Sequence, residues 1–88
     1  MVMWTIYFTK QAEQDSKKFV DSKLKYKITE LLEIIKNDPF SYPPEFEILK
    51  GKLKGLVSRR INSKHRLVYQ VLEKDKAIKV LKMWTHYE

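Results

Sequence analysis

Leu56-Val57-Ser58-Arg59-Arg60-Ile61, then Asn62-Ser63-Lys64-His65, then Arg66-Leu67-Val68-Tyr69-Gln70-Val71-Leu72: this run decides the fold. Two stretches of branched, aromatic and charged residues flank four polar ones, the pattern of two strands around a hairpin loop. Side chains alternate across a strand. In the second stretch Leu67, Tyr69 and Val71 share one side, and Arg66, Val68, Gln70 and Leu72 share the other. In the first, Leu56, Ser58 and Arg60 share a side, so Arg59 and Arg60 point opposite ways. Charges at either position could also serve as edge-strand guards against aggregation.

Working outward, Glu73 to Lys76 forms a charged turn and Ala77 to Trp84 a last strand. Upstream, Met3 to Phe8 is aromatic and β-branched and reads as a strand; Thr9 suits a helix cap. Lys10 to Val20 carries Ala12, Phe19 and Val20 among charges, a modest helical pattern. Leu24, Ile28, Leu31, Leu32 and Ile35 repeat at three- and four-residue steps, which predicts a second helix over Ser22 to Lys36. Asn37-Asp38-Pro39 ends it, because the residue before proline avoids helical geometry. Ser41 to Pro44 is an extended connector. The expected order is β-α-α-β-β-β in an α+β domain spanning residues 1–88. Two N-terminal helices pack on one face of a mainly antiparallel sheet. The opposite face, carrying Arg60 and Arg66, is then a shallow positive surface.

The chain has 88 residues, a net charge of +7, no cysteine and two histidines. One core fits that length. Disulfides and thiolate metal sites are excluded, and a dedicated zinc site is disfavoured. No signal peptide or membrane-length apolar run is visible, so the default is a soluble cytoplasmic protein without membrane contact. The charge is unevenly spread. From Ile48 to Leu72 there is no acidic residue, while Lys50, Lys52, Lys54, Arg59, Arg60, Lys64 and Arg66 fall in that stretch. Such a block fits a polyanion site, with nucleic acid favoured over an acidic protein or a plain solvated face.

Glu47-Ile48-Leu49-Lys50, then Leu53-Lys54-Gly55-Leu56-Val57-Ser58-Arg59-Arg60-Ile61, then His65-Arg66-Leu67-Val68-Tyr69, then His86-Tyr87, occur in this order. Together these blocks resemble the Txe/YoeB family of toxins, within the RelE/ParE superfamily. The resemblance implies a RelE-like fold and a toxin of a type II toxin–antitoxin system. It implies an endoribonuclease (an mRNA interferase) that cuts mRNA on the ribosome, blocks translation and needs no metal or other cofactor. Its partners would be mRNA, the ribosome and a cognate antitoxin of the YefM type, with a homodimer as a further assembly. Carried over by position, Glu47 is the general base, His86 the general acid and Arg66 the phosphate-stabilising arginine. Lys50 and Arg60 are supporting cations, and Tyr87 helps to place the RNA. Two departures stand out: Val57 where the family commonly has an aromatic, and Glu88 after the terminal His-Tyr pair.

The chemistry wants these residue types. RNA supplies its own nucleophile, the 2′-hydroxyl. A base takes its proton and an acid protonates the leaving 5′-oxygen, each contributing about 10²–10⁴ in rate. A carboxylate can be the base, and a histidine holds and releases a proton near neutrality. A guanidinium offers planar paired donors to the phosphorane oxygens. Taken singly, Glu47 could be an idle loop carboxylate and His86 an idle terminal side chain. His65 reads as structural, shaping the hairpin, and Trp4 and Trp84 as core or interface aromatics. Two other readings remain: a DNA-gyrase poison of the ParE kind, and a non-catalytic ribosome or RNA binder. The basic run makes its own prediction. Replacing Lys52 and Lys54 together should weaken RNA or ribosome binding and flatten its salt dependence; a salt titration of binding that matches the parent protein would remove these two from any polyanion site.

Overall fold

The computed structural model describes residues 3–18, 23–42, 45–51, 55–61 and 65–84. Strand β1 (Thr5–Phe8) leads to helices α1 (Lys10–Lys17) and α2 (Leu24–Asn37). Then follow β2 (Phe46–Ile48), β3 (Val57–Arg60), β4 (Arg66–Leu72) and β5 (Ala77–Trp84), with a 3-10 turn at Glu73–Asp75 before the last. The sheet order is β1-β5-β4-β3-β2. Only β1 and β5 pair in parallel; the other neighbours are antiparallel. The fold is thus α+β, with a mixed five-stranded sheet. Strand β2 is the addition to the order expected from sequence. Its three residues are too few to show alternation, and it forms because Phe46, Glu47 and Ile48 pair with Arg59, Ser58 and Val57.

The start of α1 and the end of α2 have local causes. The Thr9 hydroxyl accepts from the Ala12 N–H at 3.0 Å, capping α1 as its sequence position suggests. After Asn37 the chain turns extended at Asp38, whose carboxylate accepts from the Phe40 N–H. The apolar stripe of α2 then lies on the sheet. Ile28, Leu31 and Ile35 are buried with Ala12 of α1 against Val57, Leu67, Tyr69, Ile78, Val80 and Met83. Each fully buried aliphatic side chain of this kind contributes about 1.5–3 kcal/mol. Both helices therefore cover one face; on the other, Ser58 and Val68 are also buried, while Glu47, Arg60, Gln70 and Lys79 are exposed.

One irregularity sorts residues between the faces. Val68 pairs with Lys82 but Tyr69 pairs with Val80, so Leu81 is an extra residue in β5. Strict alternation from Lys79 would turn Lys82 inward and Met83 outward. The bulge resets the count: Lys79 is exposed, Val80 and Met83 are buried in the core, and Lys82 lies opposite outward-facing Val68.

The far end of β5 is held by α1, because β1 stops at Phe8. The Thr9 N–H donates to the Val80 carbonyl and the Thr9 hydroxyl to the Leu81 carbonyl. The buried Asp15 carboxylate accepts from the Met83 N–H at 3.0 Å and from the Gln11 amide at 2.8 Å. A side chain thus takes the place of a missing strand neighbour.

Arg59 is fully buried, against the reading of it as an edge-strand charge. Its Nε donates to the Tyr69 hydroxyl at 2.9 Å, and its Nη2 to the Pro39 and Ser41 carbonyls at 3.1 and 2.9 Å. The Tyr69 hydroxyl in turn donates to the Pro39 carbonyl at 2.6 Å. The guanidinium also sits 4.9 Å from the centre of the Phe46 ring. Burial holds the Tyr69 phenol above its ordinary value of 10.0. The folded state therefore keeps its proton where the unfolded chain loses it, and stability falls as pH rises above about 10. Tyr69→Phe should cost about 1–3 kcal/mol at neutral pH by leaving buried groups short of a partner, and should lose part of that alkaline decline. Urea unfolding at pH 7 and pH 10.5 measures both; an unchanged midpoint at pH 7 would show that the network carries no stability.

Candidate active site

Inward Phe46 and Arg59 determine what points outward. Glu47 follows Phe46 and is exposed on the open face; Arg60 follows Arg59 and is exposed there too. The register sets Glu47 opposite Ser58, Ser58 opposite Val68, and Arg60 opposite Arg66. Glu47 on the edge strand β2 and Arg66 on the central strand β4 meet across β3: Arg66 Nη1 lies 3.8 Å from Glu47 Oε2. That is an ion pair rather than a hydrogen bond. The Arg66 side chain is 25% exposed and that of Glu47 63%, so water reaches both.

Two guanidiniums directly across a strand pair repel each other. Among the described residues a single carboxylate, Glu47 beside Arg66, joins them and leaves the cluster net positive. Among the described residues no carboxylate pairs with Arg60. Lys50 is exposed just past β2. Its neighbour Leu49 is buried and pins the segment, donating its N–H to the Leu56 carbonyl and accepting from the Gly55 N–H. Gly55 has φ +88°, a left-handed conformation that favours glycine where the chain turns back. Lys50 therefore flanks the Glu47 end of the cluster along the chain. The His65 carbonyl accepts from the Ile61 N–H at 2.8 Å, which closes the β3–β4 hairpin. β5 runs as far as Trp84, in register with Arg66. His86, Tyr87 and Glu88, like Lys52 and Lys54, lie outside the described residues.

Alternation puts Ser58 on the same side as Arg60. Its hydroxyl is buried and, among the described residues, has no hydrogen-bond partner. It stands across from Glu47, and an unsatisfied buried hydroxyl costs about 1–3 kcal/mol. No pattern in the sequence flags that cost, because it depends on what covers the residue. Among the described residues no three His, Asp or Glu side chains gather as a metal site. A separate apolar cleft of about 260 Å³, lined by Phe8, Ile28, Leu32 and Met83 among others, opens on the helix side of the sheet.

Residues 8–87 match the family model described as a YoeB-like toxin of a bacterial type II toxin-antitoxin system. A toxin YoeB from Synechocystis sp. is 41% identical over 68 residues, covering 77% of each chain. Toxin RelK of Mycobacterium tuberculosis is 43% identical over 67 residues, 76% of each chain. Among solved structures, the chain of a YoeB-YefM complex from Staphylococcus aureus superposes with a TM-score of 0.79 at 40% identity, covering 96% of this chain and 98% of that one. A YoeB dimer from the same organism gives the same score. A YoeB/ParE toxin from Agrobacterium tumefaciens gives 0.85 at 29% identity, covering 94% and 99%.

The exposure of Glu47 and Arg66 limits what their pairing contributes to folding. Solvent screens such pairs to about 0–1 kcal/mol. A double-mutant cycle of Glu47→Ala and Arg66→Ala should therefore give a coupling energy below about 1 kcal/mol in urea unfolding. A coupling of several kcal/mol would make the pair a structural element instead of a reactive one.

Proposed function

Because the chain belongs to the YoeB-like toxins of bacterial type II toxin–antitoxin systems, we propose that it is a metal-independent endoribonuclease that cleaves mRNA on the ribosome and so blocks translation. The observation that carries this reading is the open-face cluster: the Glu47 carboxylate 3.8 Å from the Arg66 guanidinium, with Arg60 across the strand pair from Arg66. It offers a base and an anion site side by side, as transesterification of RNA requires.

In the proposed reaction a phosphate competes with Glu47 for Arg66. Arg66, supported by Arg60 and Lys50, holds the non-bridging oxygens as negative charge grows on them. Glu47, released from its ion pair, takes the proton of the 2′-hydroxyl. The 2′-oxygen bonds to phosphorus, the bond from phosphorus to the 5′-oxygen breaks, and His86 gives that oxygen its proton. Tyr87 helps to place the RNA. The products are a 2′,3′-cyclic phosphate and a 5′-hydroxyl. DNA, without the 2′-hydroxyl, binds but is not cut.

The antitoxin we propose is of the YefM type, as in the Staphylococcus aureus complex. An acidic or apolar segment of it would lie along Lys50 to Arg66 and exclude RNA; charge complementarity would speed that association, and salt would weaken it. A dimer like that of the same relative is part of the proposal, as is a cytoplasmic location. Among the described residues no helix is long and apolar enough to cross a membrane. Against the gyrase-poison reading stands the presence of Glu47, Arg66 and His86 together; supercoiling assays in parallel test it.

Programmed ribosomes without chelator, and free RNA with and without EDTA, incubated with the purified protein, test the mechanism. His86→Ala should lower cleavage about 10²-fold or more with binding nearly intact. Glu47→Ala should slow cleavage while RNA binds as well or better. Arg66→Ala should weaken both, since its charge acts before and during the reaction. Full-rate cleavage by the His86 and Glu47 variants, or loss of free-RNA cleavage on adding EDTA, would sink the mechanism.

A further inference from the structure

Past the cluster this face is covered at Val68, which is fully buried, and is exposed again at Gln70. On β4 the outward residues after Arg66 are Val68, Gln70 and Leu72. Gln70 pairs with Lys79 of β5, and Lys79 pairs with Tyr7 of β1. All three side chains are exposed, Tyr7 to 57%. Their strand neighbours point the other way: Ile78 and Val80 are buried in the core, and Ile6 and Val71 pack against it. Phenol, ammonium and carboxamide therefore form one row across three adjacent strands, about 10 Å from end to end at the usual strand spacing. Gln70 is four residues from Arg66 along β4, about 13 Å. Lys82, opposite Val68, lies between the row and the cluster.

Tyr7 is unusual among the exposed aromatics described. Phe8 faces the cleft on the helix side, Tyr26 is on α2, and Phe40 and Tyr42 belong to the connector beside inward-facing Phe46. Tyr7 alone of these presents a ring on the open face, beside a lysine. Sites for single-stranded nucleic acid combine these two elements: cations that follow the backbone and aromatic faces on which bases stack. An acidic protein partner would use the lysine but gives no reason for a ring, and among the described residues no acidic one joins the row.

We propose that Tyr7, Lys79 and Gln70 form a subsite for single-stranded RNA flanking the scissile phosphate. A base stacks on the Tyr7 ring. The Lys79 ammonium holds a phosphate a few nucleotides from the one at Arg66. The Gln70 amide, a donor and acceptor at once, meets a base edge or a 2′-hydroxyl. This subsite rests on the RNA-cleaving reading and adds to it the length of substrate the face engages.

The test uses the full chain and two sets of RNA oligonucleotides carrying a 2′-deoxy substitution at the cleavage position, so that they bind without being cut. One set spans only the cleavage site; the other extends several nucleotides to either side. Fluorescence anisotropy should show the parent protein binding one of the extended RNAs about tenfold more tightly than the short one. Tyr7→Ala should abolish that gain without changing affinity for the short RNA. Tyr7→Phe should keep it, since the ring and not the hydroxyl does the stacking. Lys79→Ala should reduce the gain and flatten its salt dependence. Both sites are exposed, so unfolding midpoints should match the parent and certify the variants. Equal affinity of the parent for short and extended RNA, or a full gain retained in Tyr7→Ala and Lys79→Ala, overturns the subsite while leaving the cleavage reading intact. A parent protein that binds neither RNA also overturns the subsite, while the cleavage reading stands or falls by the programmed-ribosome assay.

Discussion

The geometry of the open face depends on a charge that is not on it. Arg59 brings a guanidinium into the core, which is costly unless its donors are met. Tyr69, the Pro39 and Ser41 carbonyls and the Phe46 ring meet them. The network fastens three things together: the central hairpin, the connector that leaves α2, and the short edge strand β2. Once Arg59 and Phe46 are fixed inward, Arg60 and Glu47 have only the other face. A buried arginine thus positions its neighbour, and through Phe46 it positions a carboxylate that it does not touch.

This division explains what could be read in advance. The two helices and the strands of the central hairpin are written in local periodicity and fold where it predicts, except that α1 ends at Lys17, with Phe19 and Val20 outside the described residues. Alternation alone also separates Arg59 from Arg60. The inward role of Arg59 is another matter, because its partners stand 10 to 20 residues away in sequence. The same holds for Asp15, one charge among several on a mixed-sign helix. It is buried only because β1 ends early and leaves the Met83 N–H in need of an acceptor. Glu47 looked like a loop carboxylate when taken singly because three residues cannot display a strand pattern. The approach of Glu47 to Arg66 follows from the register of β2 on β3 and β3 on β4, which is a property of pairing rather than of either segment. His86 and Tyr87 rest on the order of the sequence blocks, beyond the described residues.

The two ends of the sheet are finished differently. At one edge, β2 is short, and its middle residue is a carboxylate held by an ion pair from two strands away. At the other, β1 is parallel to β5 and stops before β5 does, and α1 supplies side-chain and backbone groups over the remaining length. Thr9 serves twice, as helix cap and as clasp on the Leu81 carbonyl. The start of the helix layer and the end of the sheet therefore form as one unit, although some 70 residues separate them in sequence.

The extra residue at Leu81 gives this last strand a property that composition does not convey. Upstream of it, odd-numbered positions of β5 face outward; downstream, even-numbered ones do. Sidedness past the bulge is a matter of parity, like reading frame in a message. Removing or adding one residue there would alter no chemical group beyond it, yet would exchange inside for outside for the rest of the strand. A lineage of such chains can vary side chains in β5 one at a time, but it can change the length there only in compensated steps.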